Sequence, residues 1–358
     1  MKYLENNLDN LIGTKKRILI TGGAGFIGSN LIIRLIKGSS SIIFNLDKLG
    51  YASNLEPIEE NLNKTNKNIK NRYQLLKVDL SNPIETAKAV KKADPDLIMH
   101  LAAESHVDKS IFYPDSFIKS NIIGTFNLLN SSKDHYENLS LKRKLDFRFL
   151  HVSTDEVFGS LDSLDSINSF SENSPYDPRS PYSASKASSD HLAKACYHTY
   201  NFPVIITNCS NNFGPYQFRE KLIPMTILNA INLKSIPIYG DGKNIRDWLF
   251  VEDHIDALLL ALSKGKLGQS YCIGANSEKE NIELVRIICQ ELDNLIPKNK
   301  PHFDLVEFIE DRKGHDRRYS INAKKIKEEL RWVPKFSFKE ALKLTINYYL
   351  YLGKSLNL

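Results

Sequence analysis

Residues 21–30 read TGGAGFIGSN, directly after the β-branched run RILIT (17–21) and directly before a helix-like segment, GSNLIIRLI (28–36). The glycines satisfy two spacings at once: G-x-x-G-x-x-G through Gly22, Gly25 and Gly28, and G-x-G-x-x-G through Gly23, Gly25 and Gly28. A strand that turns tightly into a helix needs glycine where a Cβ would block the turn, and where the backbone must approach a pyrophosphate. The helix that follows offers free amide donors and the positive end of its dipole to such an anion. A glycine pattern alone is weak evidence. Here the next strand-like run, SIIFNLD (41–47), ends in Asp47, at the spacing expected of a carboxylate that bonds the ribose hydroxyls of a dinucleotide. Asp47 would repel a 2′-phosphate, so NAD is expected rather than NADP.

Working outward, strand-like runs continue to alternate with helical segments: YQLLKVDL (73–80), DLIMHLAA (96–103), FRFLHVST (147–154) and PVIITNCS (203–210). Strands separated by helices imply right-handed crossovers and a parallel sheet. The expected fold is α/β, a Rossmann-type doubly wound parallel sheet over 17–205, with 240–275 returning to it. From about 206 to 350 the alternation weakens and loops rich in Pro and Gly appear, which predicts a smaller, discontinuous α/β substrate-binding domain over the sheet's carboxyl edge. Residues 1–16 read as an extension outside the fold, and 59–72, rich in Asn and Lys, as a surface helix or loop.

Composition sets the bounds. Of 358 residues, 42% are hydrophobic and 25% charged, a globular balance. The net charge of +6 is spread along the chain, and LKRKLDFRF (141–149) reads as a helix end running into a strand rather than a nucleic-acid footprint. Four cysteines, Cys196, Cys209, Cys272 and Cys289, lack any pairing or metal-ligand spacing, so reduced thiols and no metal are expected. With no signal sequence and no long apolar run, a cytoplasmic protein without membrane contact is expected.

The chemistry is concentrated in two further stretches. YSASK (182–186) sets Tyr182 and Lys186 four apart on one helix face, just after Pro181. A Tyr phenol ionises too high to serve as a base, but a nearby ammonium and an oxidised nicotinamide favour the phenolate, which can take the proton of a secondary alcohol. STDEVFG (153–159) adds Thr154, able to donate to the same oxygen, followed by two adjacent acids. Oxidation has no need of Asp155 and Glu156. Elimination does: beside a ketone the neighbouring C–H becomes acidic, and one carboxylate can remove that proton while a protonated partner donates to a departing hydroxyl. In LAAESHVD (101–108), Ala102 and Ala103 allow close passage of the cofactor, whereas His106 and Asp108 read as capping and packing groups.

With LAAESHVDKS, STDEVFG, SPYSASKASSDHL, NCSNNFGPYQFREKLIP, IYGDGKNIRDWLFVEDH and DRKGHDRRYSI in view, the sequence resembles the dTDP-glucose 4,6-dehydratase family of extended short-chain dehydrogenase/reductases from about residue 17 to 350. The resemblance implies that Thr154, Asp155, Glu156, Tyr182 and Lys186 are catalytic. It implies that NAD is held by Gly22, Gly25, Phe26, Ile27, Gly28, Asp47, Lys48, Leu49, Gly50, Asp79, Leu80, Leu101, Ala102, Ala103, Ser105 and Ser120, besides Tyr182 and Lys186. For the sugar nucleotide it implies Ser105, Thr154, Asn211, Lys221, Leu222, Pro237, Ile238, Tyr239, Arg246, Asn281, Asp311, Arg312, Lys313, Gly314 and His315, with Arg246 and Arg312 suited to paired bonds with the diphosphate. It also implies a homodimer joined by a four-helix bundle from the helix near 113–132 and the one carrying Tyr182.

The sequence departs from the family pattern at Gly50, Phe158, Arg219 and Lys313, none of which removes a group with a named chemical role. The rival readings are a UDP-sugar 4-epimerase, which has no use for Asp155 and Glu156, and a dehydratase of CDP- or GDP-sugars. A non-catalytic NAD-binding protein would be expected to have lost part of the Thr-Asp-Glu and Tyr-Lys set.

Overall fold

The computed structural model describes residues 8–161 and 168–355. Seven strands form one parallel sheet: β1 (Arg17–Thr21), β2 (Ile42–Asp47), β3 (Tyr73–Lys77), β4 (Leu97–His100), β5 (Arg148–Thr154), β6 (Val204–Cys209) and β10 (Ser270–Ile273), in the order β10-β6-β5-β4-β1-β2-β3. Every pairing within it is parallel. Helices cover both faces, which explains why β1, β4 and β6 read as unbroken apolar runs: both sides of each strand are buried. The chain order reverses between β1 and β4, and the crevice at that switch point is where such sheets take ligands.

The remaining strands form two small sheets. β7 (Asn211–Phe213) and β11 (Glu278–Glu280) flank β9 (Ile245–Phe250), while β8 (Ile236–Tyr239) pairs with β12 (Val306–Ile309). Of the stretch expected to return to the large sheet, the Val251–Lys264 helix and β10 do so, whereas β9 belongs to the small sheet. Residues 59–72 are helical over Glu56–Asn63 and Lys67–Lys70, and Leu141–Asp146 is the short helix expected before β5.

One expectation fails. Residues 8–12 do not lie outside the fold: Leu8 and Ile12 are buried, and the Asp9–Ile12 helix packs on the Val251–Lys264 helix. Leu8 N–H donates to the Gly38 carbonyl, and Ser40 N–H donates to Asp9 Oδ1. Residues 1–7 are outside the described residues. No helix among the described residues is long and apolar enough to cross a membrane.

Candidate active site

The glycine turn builds one wall of a continuous cleft along the carboxyl ends of the large sheet. Gly22 has φ +71°, and a Cβ there would sit 2.7 Å from the Ala102 backbone; on Gly28 it would meet the Gly22 carbonyl at 2.3 Å. Gly22, Gly25 and Gly28 line the cleft, while a Cβ on Gly23 would strike Asn45 and Ile32 instead. Of the two spacings legible in the sequence, G-x-x-G-x-x-G therefore faces the cleft. Asp47 ties this turn to the next loop: its carboxylate accepts from Ala24 N–H at 3.0 Å, Leu49 N–H at 2.8 Å and the Ser53 hydroxyl at 2.9 Å. A glycine cradle with a buried, pre-oriented acid at its side fits the pyrophosphate and ribose of a dinucleotide.

The cleft is also lined by Phe26, Ile27, Lys48, Gly50, Asp79, Leu80, Leu101, Ala102, Ala103, Ser105 and Ser120. Leu49 lies off it, and its backbone at φ +58° serves to bring its N–H onto Asp47. Asp79 and Leu80 sit in the turn beyond β3 rather than in the strand, because Asp79 accepts from Ser81 N–H.

At the middle of the cleft β5 ends in Thr154, and the chain tightens into a 3-10 turn, Asp155–Phe158. Thr154 caps that turn by accepting from Glu156 N–H and donates its hydroxyl to Asp155 Oδ1 at 3.2 Å. Asp155 is 1% exposed, and its Oδ2 has no protein partner. Burial, then repulsion from Glu156 and Asp247, lifts its carboxyl well above the ordinary range. Burial lifts Glu156 as well, but Arg312, Lys221 and Arg246 oppose that lift. The adjacent acids thus differ in surroundings: one is starved of positive charge relative to the other.

Across from them, the Pro181–Tyr200 helix begins with Pro181 at its first position and a reciprocal Ser180/Ser183 capping box, so the proline starts the helix rather than breaking it. Tyr182 and Lys186 both face the cleft, and Lys186 Nζ donates to the Val152 carbonyl at 2.9 Å. Two positive charges are expected to favour the Tyr182 phenolate, the Lys186 ammonium and an oxidised nicotinamide, and only the first belongs to the chain itself. Burial, then Glu156, Cys209 and Asp155, hold the phenol well above its usual value, and burial pushes Lys186 down. The helix geometry is as expected, and because the chain alone favours the neutral phenol, the pull toward the phenolate is left to the charge of an oxidised nicotinamide.

Toward the sugar end, Asn211 and Lys221 line the cleft, with Asn211 Oδ1 buried and unpartnered. Leu222, Pro237, Ile238, Tyr239, Arg246, Asn281 and 311–315 are not among the lining residues of that cleft. Arg246 lies over the Tyr319 ring, 4.2 Å from its centroid, and spends part of its guanidinium on the Ile245 and Asp316 carbonyls. Arg312 keeps a buried, unpaired Nε and Asn281 a buried, unpaired Oδ1. His315 donates toward Asp311 from a position beside Tyr239, and burial holds it down at about 4. Lys313 and Gly314 are exposed in the same loop. Ile238 is corrected: it is 2% exposed and packed in the core, because alternation along β8 turns it inward while Pro237 and Tyr239 face the other way.

Tyr51, Glu104, Lys109 and Phe218 also line the cleft and went unread in the sequence. His106 lines the cleft, approaches Glu220 at 3.3 Å, and makes no side-chain cap, contrary to expectation. Lys48 pairs with Glu104 at 2.6 Å, and Lys221 Nζ donates to the Ser105 carbonyl at 3.1 Å. Tyr51 donates to Glu220 and packs edge-on against Phe218, with Lys109 over its ring. These contacts join loops 48–53, 104–109 and 217–221 across the cleft mouth.

A glycine-cradled dinucleotide cleft on this sheet, with Thr154, Tyr182 and Lys186 at its middle, is the arrangement of the short-chain dehydrogenase/reductases. Within that class the chain belongs to the family described as GDP-mannose 4,6 dehydratase, whose model it matches over residues 19–345. It is 46% identical to the dTDP-glucose 4,6-dehydratase of Shigella flexneri, covering 93% of this chain and 92% of the relative. Against the enzyme of that name from Haemophilus influenzae the identity is 48%, over 94% and 99% of the two chains. The crystal structure of the Streptomyces venezuelae dTDP-glucose 4,6-dehydratase, with NAD bound, superposes with a TM-score of 0.83 at 39% identity, covering 94% of this chain and 98% of that one.

Proposed function

We propose that this chain converts dTDP-glucose to dTDP-4-keto-6-deoxyglucose and water, with NAD as its cofactor. NAD, when bound in the cleft, takes the C4 hydride and later returns it to C6, so it is regenerated within each cycle. Tyr182 takes the proton of the C4 hydroxyl, with Thr154 donating to the same oxygen and Lys186 holding the nicotinamide ribose. Glu156 removes the C5 proton, now acidic beside the ketone, and Asp155 protonates the C6 hydroxyl as it leaves as water. Glu156 gives its proton back to C5 as C6 is reduced. The proton left on Tyr182 replaces the one that Asp155 gave up, and the cycle closes.

The observation that carries this reading is the divergence of the two adjacent acids. Asp155, buried beside two other carboxylates, is pushed well above the ordinary carboxyl range, which suits the acid, whereas Arg312, Lys221 and Arg246 oppose the lift that burial gives Glu156, which suits the base. An acid and a base side by side are what elimination requires and what epimerisation leaves idle. Arg312, with its unpaired Nε, and Lys221 would hold the diphosphate, and Asn211 the glucosyl moiety.

The protein is further proposed to act in the cytoplasm as a homodimer. Phe112, Tyr113, Ile118, Ile123 and Phe126 are exposed along the helical run from Val107 to Glu137, and Ala184, His191 and Ala195 are exposed along the Pro181–Tyr200 helix. A second copy pairing these helices into a four-helix bundle would cover them. Sedimentation of Phe126→Glu as a monomer, with the unchanged protein a dimer, is the expected result.

The deciding experiment for the reaction is mass spectrometry after incubation with dTDP-glucose deuterated at C4, without added NADH. Loss of one water with deuterium now at C6 is expected. A C4 epimer of unchanged mass would move the chain to the epimerases, and turnover of only a CDP- or GDP-sugar would correct the nucleotide.

A further inference from the structure

Asp190 is fully buried on the Pro181–Tyr200 helix, about two turns past Tyr182, and the proposed mechanism leaves it unused. Its carboxylate gathers three groups from outside that helix. His151 Nε2, from the middle of β5, lies 3.0 Å from Oδ1; the Tyr176 hydroxyl donates to Oδ2 at 2.8 Å, and Asn208 Nδ2, from β6, donates to the same oxygen at 3.2 Å. Two of the three lead on to the turn that carries the acids. The Asn208 amide also donates to the Thr154 carbonyl at 3.2 Å, at the peptide that joins Thr154 to Asp155. The Tyr176 ring meets Phe158, the last residue of the turn, edge-on with centroids 5.3 Å apart. Both ends of the turn are thus tied to one carboxylate, and Ala187 of the same helix packs with Val157 and Phe158 between them.

We infer that Asp190 is a positioning residue for the elimination step: through Asn208 and Tyr176 it holds the turn bearing Asp155 and Glu156 in register with the helix bearing Tyr182. This rests on the roles proposed above, in which Tyr182 works on C4 of the sugar while Glu156 and Asp155 work on C5 and C6. Those are neighbouring carbons of one substrate. A sugar seated for Tyr182 meets Glu156 only if turn and helix keep a fixed spacing, and a misplacement of about 1 Å costs on the order of 100-fold in rate.

Apolar packing alone sets that spacing loosely. Sliding the turn along the helix would break a bond to Asp190 and leave a buried polar group unpaired, a penalty that contacts such as those of Ala187 do not impose. The two ties also differ in what they hold. Asn208 fixes the Thr154 end, where the groups for oxidation and elimination meet. Tyr176 fixes the far end, beyond both acids, which oxidation does not use.

That difference supplies the test. In a single turnover of the NAD-loaded protein on dTDP-glucose, the near-ultraviolet absorbance of NADH rises with oxidation and falls once elimination lets the hydride return. Tyr176→Phe keeps the ring against Phe158 and removes only the bond to Asp190. It should slow the fall roughly tenfold, so that NADH accumulates, with the rise and the KM for dTDP-glucose each within about twofold. Asn208→Ala frees the Thr154 end and should slow both phases, by roughly 10- to 100-fold. Unchanged phases in Tyr176→Phe would reduce Asp190 to a cross-link of the fold, and equal slowing of rise and fall in that variant would mean a general loosening of the site; either result overturns the inference. Should Asn208→Ala fail to fold, Tyr176→Phe decides alone. An unchanged protein that gives neither NADH nor product from dTDP-glucose would instead strike the proposed reaction, and this inference with it.

Discussion

At one end of the cleft, Gly22, Gly25, Gly28 and Asp47 come from a single β-α-β unit and act through backbone, turn geometry and one pre-oriented carboxylate. At the other end, Asn211 and Lys221 line the cleft while Arg246, Asn281 and Arg312, proposed with them for the sugar nucleotide, lie beyond its lining, and all five, from separated places in the chain, would act through side chains and charge. The first end admits almost no substitution, because a single Cβ meets backbone that cannot yield. The second is a set of independent polar groups, each removable at a finite cost. Steric failure at one end and graded loss at the other is the difference that mutagenesis should expose.

Tyr182→Phe tests the centre, where the ends meet. It should lower kcat by about 10²- to 10⁴-fold while NAD binding, read by titration calorimetry, stays intact. Retained turnover would mean that another group takes the C4 hydroxyl proton. At the cofactor end, Gly28→Ala brings a methyl within 2.3 Å of the Gly22 carbonyl. The strain of about 3 kcal/mol should weaken NAD roughly 100-fold. Unaltered NAD affinity would show that the turn is plastic and erase the contrast.

Arg312→Ala should behave differently, raising KM for dTDP-glucose roughly 10- to 100-fold with kcat changed far less, as the loss of one charged contact of about 1.5–3 kcal/mol implies. A drop in kcat equal to the rise in KM would place Arg312 in the reacting centre through its influence on Glu156.

The smallest expected effect is on stability. The folded carboxyl of Asp155 is held above its unfolded value by burial and by Glu156. Its contribution is therefore present below the unfolded value and lost as pH rises through the folded one. Asp155→Asn removes that loss, so its melting temperature should exceed that of the unchanged protein by a few degrees at about pH 8 and converge with it near about pH 4. The same variant should make no dehydrated product. A melting difference independent of pH would show that Asp155 is ionised in the fold.

The cofactor end was almost wholly legible in the sequence because its signals are local: strand, glycine turn, helix, acid. Six strands of the large sheet stand where β-branched runs occur, and the burial of both sheet faces is what made those runs continuous. Leu8 and Ile12 escaped because one helical turn among Asn and Asp shows no period, and their burial depends on a helix far along the chain. His106 was misread for a similar reason: its partner Glu220 lies in a loop that no spacing connects to it. Tyr182 and Lys186 were placed by periodicity, but the sign of their electrostatics depended on how deeply both are buried, which a four-residue spacing does not carry.

The 3-10 turn Asp155–Phe158 sits on an aromatic footing, Phe158 stacked on Phe170 and edge-on to Tyr176, and packs with Ala187 of the helix that bears Tyr182. The two acids nonetheless stand next to each other in the sequence, away from the helix positions of Tyr182 and Lys186. An ancestral chain already able to oxidise and re-reduce a sugar could gain dehydration by altering two neighbouring codons, with cofactor, helix and nucleotide pocket left in place. By the same token it could lose dehydration and keep the oxidation, so that in this architecture a change of reaction type is a shorter evolutionary step than a change of cofactor.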